Sequence, residues 1–194
     1  MPCDVASVGY GFSTDCVSFI VERLSGKSLE QYLGLPVIEQ DPTHVRMHFG
    51  GVGLYASQKD YVTIMHHLLQ IQGRVANPIL SYISVDGLFA PTLPQTGTAG
   101  LRSFMRFIHP LLKIPAGAAQ FRRGLLVNTE DVPGRCRAGS GGWDGYSTTS
   151  FFVDPTTGVA VVFATQILPT GDVTHEKMYN ALERELYGQS KARL

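Results

Sequence analysis

The first stretch of the chain places apolar residues at the spacing of an amphipathic helix, three or four positions apart. Thr14 or Asp15 stands before this stripe as a residue suited to an N-cap, and Gly26 follows it as a C-cap. The sequence therefore predicts a helix between these caps. Its apolar stripe consists of Val17, Ile20, Val21 and Leu24.

A second stripe farther along the chain predicts the clearest helix in the sequence. Ser57 followed by Asp60 resembles a capping box, in which two side chains satisfy the free amides of a helix start. Gly73 predicts the end of the helix. The stripe between these signals consists of Tyr61, Ile64, Met65, Leu68 and Leu69.

The middle of the chain predicts one short helix and then loops. Asn77 followed by Pro78 predicts a helix over 78–84, because Asn caps helices and Pro fits the first helical position. Residues 86–120 contain several prolines and show little periodicity, so we expect mostly loop there.

The last third changes from helical spacing to short apolar runs. Runs at 124–128, 150–153 and 159–164 predict strands, and the Asp-Pro-Thr-Thr-Gly turn at 154–158 makes the last two an antiparallel hairpin. Residues 138–145 are dense in glycine, which predicts a loop.

A final helix is predicted over 173–187, with Met178, Ala181, Leu182 and Leu186 on its apolar face. Helices come first and strands follow, with one more helix at the end. This order predicts an α+β fold, and we expect residues 1–194 to form a single domain because nothing in the sequence resembles a linker.

Composition narrows the function mainly by exclusion. The chain has 16 basic and 16 acidic residues, so it has no broad positive field to hold nucleic acid or an anionic membrane. Neither a signal peptide nor an apolar run of membrane-spanning length is present, so we expect a cytoplasmic protein.

The three cysteines, Cys3, Cys16 and Cys136, match neither a zinc pattern nor a disulfide framework. We therefore expect free thiols, with Cys16 buried in the first predicted helix. The sequence indicates no metal and no cofactor.

The sequence contains three short motifs whose order along the chain is informative about function. The first is Tyr10-Gly11-Phe12-Ser13-Thr14-Asp15, followed by a helix that carries Glu22 and ends in Ser-Gly-Lys-Ser-Leu. The second is Gly50-Gly51-Val52-Gly53-Leu54 before the helix that starts near Ser57. The third is Trp143-Asp144-Gly145 before the predicted hairpin, which ends in Thr165-Gln166.

Together these motifs resemble the β-lactamase-related serine hydrolase family, which includes penicillin-binding-protein-like carboxylesterases and acyltransferases. The resemblance implies a partial β-lactamase/transpeptidase-like fold, with an antiparallel sheet flanked by helices. It also implies an acyl-enzyme mechanism on a small-molecule ester or acyl substrate, in which Tyr10 acts as general base or acid. Trp143, Asp144 and Gly145 would then lie at the substrate pocket, on the strand that carries Lys-Thr-Gly in penicillin-binding proteins. A β-lactam substrate is not expected, because that Lys-Thr-Gly is not present.

The family's Ser-x-x-Lys nucleophile motif does not occur anywhere in these residues. We therefore interpret the sequence as the C-terminal portion of such an enzyme, N-terminally truncated so that it lacks the segment with that motif. Three functions remain open: an esterase, an acyltransferase of secondary metabolism, and an inactive fragment or binding module. The truncated interpretation predicts self-association through exposed core surface.

Each site residue also has a purely structural interpretation. Tyr10 could pack at a helix entrance, and Trp143 could be a hydrophobic plug. Asp144 could be a solvated turn residue.

Overall fold

The computed structural model describes residues 13–27, 31, 56–90, 93–108, 116–145, 147–168 and 171–191. The chain divides into two compact units, one of residues 9–59 and one that contains residues 1–8 and 60–194. Tyr10 and the glycine-rich motif at 50–54 lie outside the described residues.

The first unit contains helix α1, Ser13–Ser25. The helix begins before Thr14 and Asp15, so the expectation that one of them caps it is wrong. Its end is as predicted, because Gly26 adopts a φ of 67° and its amide donates to the Glu22 carbonyl at 2.9 Å. Several apolar side chains of α1 are exposed, and so is Cys16, which corrects the expected buried thiol. The exposed apolar residues are Val17, Phe19, Ile20 and Leu24.

The second unit contains the other helices and all the strands of the described residues. Its helices are α2 (Gln58–Gln72), α3 (Tyr82–Phe89), α4 (Gln95–Ile108) and α5 (Val173–Lys191), with a 3₁₀ turn at Ala116–Ala118. Its strands are β1 (Ala119–Arg122), β2 (Leu125–Asn128), β3 (Gly141–Asp144), β4 (Thr149–Asp154) and β5 (Val159–Ala164). Among the described residues, no helix is both long and apolar enough to cross a membrane.

Helix α2 confirms the second predicted helix. It begins directly after Ser57, and the Gly73 amide donates to the Leu69 carbonyl at its end. Met65, Leu68 and Ile71 are buried against the sheet. The predicted stripe therefore faces the core, with Ile71 added to it.

Helix α3 begins at Tyr82, later than the predicted start at Pro78. Asn77 does not cap it, because Asn77 adopts a left-handed turn with a φ of 53°. Ser81 is the cap instead, and its hydroxyl accepts a hydrogen bond from the Ser84 amide at 3.1 Å.

Helix α4 overturns the expectation of loop over 86–120. Pro94 lies directly before the helix, where a proline costs no helical hydrogen bond. Its carbonyl accepts from the Thr98 amide at 2.9 Å, so Pro94 helps to begin the helix. The sequence interpretation treated it as a breaker. Leu101 from this helix is fully buried.

The five strands form one antiparallel sheet in the order β1-β2-β3-β4-β5, so each strand pairs with its neighbour in the chain. The predicted hairpin is confirmed as β4 and β5, and Gly158 takes a φ of 70° in its turn. Strand β1 was not predicted, and the expected loop at 138–145 contains strand β3. The α+β prediction, an antiparallel sheet flanked by helices, is confirmed.

Helices pack on both faces of this sheet. One face joins α2 and α3 in an apolar core that includes Ile71, Val85, Leu125, Val127 and Val153. The other face packs Phe152 and Val161 against Tyr179 and Tyr187 of α5. The predicted apolar face of α5 is confirmed in part, because Leu182 and Leu186 pack against this core whereas Met178 and Ala181 are exposed.

Candidate functional site

The Trp143-Asp144-Gly145 motif lies where β3 ends. All of β3 pairs with β4, where Trp143 lies opposite Phe151 and Asp144 opposite Ser150, and Gly141 and Gly142 also pair with β2. Among the described residues, the β2–β3 pairing therefore stops one residue before Trp143.

Glycine is required next to this end. A Cβ atom at Gly142 would lie 2.3 Å from the Phe151 carbonyl oxygen, closer than any side chain tolerates. The missing side chain lets β3 and β4 approach closely, which is why a glycine-dense segment forms a strand here. Gly145 then begins the turn into β4, where its amide donates to the Thr149 carbonyl at 2.6 Å and Thr148 takes a φ of 56°.

The indole of Trp143 is half-buried at this end of the sheet. Its ring meets the Phe121 ring edge to face, with centroids 5.4 Å apart and planes at 87°. An edge-to-face pair of this geometry is attractive beyond the area that it buries. The indole thus presents an apolar surface that a ring from β1 supports.

Asp144 is half-buried and lies within β3, so the interpretation of it as a solvated turn residue is wrong. It lines a small cavity between the sheet and α5 that Tyr179 and Glu183 also line. The cavity volume of about 30 Å³ suits water rather than an ester. Burial raises the pKa of the Tyr179 phenol well above its ordinary range, and the carboxylates of Glu183 and Asp144 raise it further. Tyr179 therefore stays protonated beneath the site.

A buried ion pair attaches the segment before β3 to α5. The Arg135 Nε donates to Glu183 Oε2 at 2.7 Å, and the Cys136 amide donates to Glu183 Oε1 at 3.2 Å. A guanidinium nitrogen of Arg135 also donates to the Asn180 side-chain oxygen. Because both carboxylate oxygens of Glu183 are satisfied, the charge is tolerated in the interior.

A second buried carboxylate fixes the far end of the same segment. Asp154 accepts from the Arg137 amide at 2.9 Å and from the Tyr187 hydroxyl at 2.6 Å. It also accepts from the amides of Thr156 and Thr157 in the hairpin turn. Asp154 therefore ties the 129–140 segment, the β4–β5 turn and α5 together.

A third polar contact joins α5 to the sheet through His175. Its Nδ1 lies 3.0 Å from the Thr165 hydroxyl, and its Nε2 lies 3.4 Å from the Ser150 hydroxyl. Both His175 and Ser150 are buried, so this pair braces the helix rather than presenting a nucleophile to solvent.

The sequence interpretation missed most of these supporting residues. Buried residues occur at every fourth position of α5 and so form one face of the helix. Only two of these residues are hydrophobic on the usual hydropathy scales. A search for apolar periodicity passes over such a face. The residues are His175, Tyr179, Glu183 and Tyr187.

No protein-family model and no curated protein matches the chain. Solved structures do match it. The unliganded simvastatin synthase LovD from Aspergillus terreus aligns at a TM-score of 0.78 and 23% identity, over 95% of this chain and 55% of that one. The chain shares the fold of the part of LovD that it covers.

Two further structures of this synthase agree. The selenomethionyl derivative aligns at a TM-score of 0.80 with 21% identity, and the LovD9 mutant at 0.79 with 23% identity. They cover 95% and 96% of this chain, and 56% of their own length in each case. The chain thus spans a little over half the length of the LovD structures that it matches. The resemblance drawn from the three motifs is confirmed at the level of the fold.

Proposed function

We propose that this chain forms the pocket-lining part of an enzyme that transfers an acyl group from a small ester through an acyl-enzyme intermediate. The observation that carries the proposal is the place of Trp143-Asp144-Gly145 at the end of β3, within a fold shared with part of LovD over 95% of the chain. The resemblance drawn from the sequence assigns the substrate pocket to this motif.

The geometry suits different tasks for the three residues. The half-buried indole of Trp143 offers an apolar wall for an acyl chain. Gly145 carries no side chain, so substrate can approach the backbone at the start of the turn. Asp144 and Trp143 both line the water-sized cavity, but the charge of Asp144 acts on the buried Tyr179 phenol, so we assign Asp144 to supporting the strand from beneath rather than to contacting the ester.

The remaining roles come from the resemblance. Tyr10 would move the proton between the nucleophile and the leaving group. The 194 residues contain no Ser-x-x-Lys, so in this proposal the nucleophile comes from outside them.

Transfer to an alcohol is favoured over hydrolysis by one observation. The structures that share the fold are those of a synthase, which by its name makes a product rather than only cleaving a substrate. Both outcomes begin with the same acyl-enzyme, so the acceptor decides between them.

The test uses the protein translated from the full transcript, whose 5′ end is mapped first. The protein is mixed with p-nitrophenyl butyrate, and p-nitrophenol release and the intact mass are followed. We expect a burst of p-nitrophenol with a mass increase of one butyryl group. Added short alcohols should then yield butyrate esters in preference to free butyrate.

Two tyrosine variants separate catalysis from general damage. Tyr10→Phe should lower turnover by roughly 100-fold or more, which is the usual contribution of a proton-transfer residue. Tyr82→Phe is the matched control, because the Tyr82 hydroxyl donates to the Val75 carbonyl and belongs to no proposed catalytic step. Absence of any butyryl adduct would contradict the proposal. Ligand binding that needs Trp143 but survives Tyr10→Phe, without turnover, would favour the binding module.

Three other expectations remain predictions: a single domain, a cytoplasmic location, and self-association. The exposed Val17, Ile20 and Leu24 of α1 are the kind of surface that would associate. Light scattering after size exclusion, on wild type and on a variant with polar residues at these positions, tests the last of them.

A further inference from the structure

The indole of Trp143 receives little support from its own strand. In a strand, the neighbours on the same face are two residues away. For Trp143 these are Gly141 and Gly145, which have no side chains. An indole that defines the wall of a pocket must therefore be held by residues from other strands.

Strand β1 supplies such a residue in Phe121. Phe121 pairs with Leu126 of β2, and Leu126 pairs with Gly142 of β3, so these three positions form one row across the sheet. Trp143 is the next residue after this row. The Phe121 ring meets the Trp143 indole edge to face, with the ring centroids 5.4 Å apart.

The cross-strand neighbour of Trp143 on the other side is engaged elsewhere. Phe151 pairs with Trp143 along the backbone, but its ring packs edge to face against Tyr61 of α2 at 5.3 Å. Phe121 and Trp143 are both half-buried, so their pair lies where a ligand can reach it.

We propose that Phe121 is a positioning residue that fixes the orientation of the Trp143 indole and thereby sets which acyl-chain length the pocket prefers. The selectivity part of this inference rests on the proposed function. The orientation part does not, because it concerns two rings within the described sheet.

Trp143 is the only tryptophan of these 194 residues. In the protein from the full transcript, the difference between the emission spectra of a Phe121 variant and the wild type therefore reports on this indole. In Phe121→Leu we expect a shifted emission spectrum and stronger quenching by acrylamide. The ratio of kcat/KM for p-nitrophenyl octanoate to that for p-nitrophenyl acetate should change by roughly 2- to 10-fold, the weight of one aromatic pair. The change should come through KM more than through kcat, because the pair touches no reacting atom.

Three further variants make the result specific. Phe121→Tyr keeps the ring and should restore both the spectrum and the selectivity. Phe163→Leu is the matched control, because Phe163 is another half-buried strand residue that packs edge to face, on Tyr179. It should lower stability without moving the Trp143 spectrum. If Phe121→Leu does not fold, Phe121→Met takes its place, since Met fills the volume without a ring.

An unchanged spectrum in Phe121→Leu would overturn the inference, and so would an equal shift in Phe163→Leu. A shifted spectrum with unchanged acyl-chain preference would overturn the selectivity part. If the wild type forms no acyl-enzyme at all, the proposed function fails, and the spectra alone still decide whether Phe121 positions the indole.

Discussion

The two faces of the sheet are held by different chemistry. The face toward α2 and α3 is an apolar core around Ile71, Val85 and Val153, all fully buried. The face toward α5 buries Tyr187 together with the carboxylates of Glu183 and Asp154, and Asp154 accepts a hydrogen bond from the Tyr187 hydroxyl. Burial of apolar area stabilises the first of these faces, whatever the detailed arrangement of its side chains.

The polar face is held by hydrogen bonds, which depend on the direction of each donor. Hydrogen bonds to Glu183 and Asp154 each require a particular donor at a particular angle. Three of the donors, Arg135, Cys136 and Arg137, lie in the segment that leads into β3. The hydrogen bonds of the polar face therefore set the position of the candidate site. The apolar core of the other face stabilises the folded sheet.

Breaking the buried ion pair should produce the largest effect. Glu183→Ala leaves Arg135, whose side chain is 15% exposed, without its carboxylate partner, and we expect a loss of about 3–5 kcal/mol in the free energy of unfolding. Urea unfolding at neutral pH measures it. The control is Asp86→Ala, because the Arg74–Asp86 pair is exposed on both sides and should cost at most about 1 kcal/mol.

A double variant sharpens this result. Replacing Arg135 and Glu183 together by Met and Leu removes the uncompensated charge, so most of the lost stability should return. If Glu183→Ala costs no more than Asp86→Ala, the polar face does not hold the segment as described.

The apolar face should respond to volume alone. Ile71 is fully buried, so Ile71→Ala should cost about 2–5 kcal/mol and Ile71→Val about 0.5–1.5 kcal/mol in the same urea experiment. Ile83 of α3 is 83% exposed, and Ile83→Ala should change stability by about 0.5 kcal/mol or less. Equal losses at Ile71 and Ile83 would contradict the packing of α2 on the sheet.

The difference between the two faces also explains which parts of the fold could be predicted from the sequence. The apolar face is visible in the sequence as apolar residues three or four positions apart, such as Ile64, Met65 and Leu68, and α2 was predicted nearly to its ends. The polar face is not, because His175, Tyr179, Glu183 and Tyr187 lack a uniform hydropathy. The predicted stripe of α5 included Met178, which is exposed.

The candidate site was predicted through motifs rather than through pattern. Hydrophobic periodicity alone predicts a loop at 138–145, because glycines carry no hydropathy signal. Gly142 is required there by the close approach of β3 and β4. The resemblance placed Trp143 on a strand, and the structure agrees. Phe121 could not be found, because its role depends on a strand pairing that no local signal encodes.

The close strand approach at the site predicts a smaller effect. Gly142→Ala would bring a methyl group against the Phe151 carbonyl, so we expect a loss of about 1–3 kcal/mol as β3 and β4 separate. Gly188→Ala is the matched control in α5, where a methyl group meets nothing and helix propensity should add up to about 1 kcal/mol. Thermal unfolding distinguishes them by sign, and a stabilising Gly142→Ala would show that the strands tolerate a side chain there.

The smallest expected effect appears at alkaline pH and again separates the faces. Burial raises the pKa of the Cys136 thiol from 9.0 to about 11. Between these values the unfolded chain has lost the proton while the folded chain keeps it, so stability falls as pH rises, by at most about 1.4 kcal/mol per pH unit from this group. Tyr179 and Tyr187 add to the fall in the same direction, because burial raises the pKa of each phenol.

Cys136→Ala removes one of these groups, so the decline in urea midpoint over that alkaline range should become less steep than in the wild type. Cys16→Ala is the control, because Cys16 is exposed on α1 and its removal should leave the slope unchanged. Identical slopes in all three proteins would mean that Cys136 meets water more freely than its position under β3 implies. A flatter slope in Cys136→Ala alone would show that the polar face keeps water out of the interior beneath the candidate site.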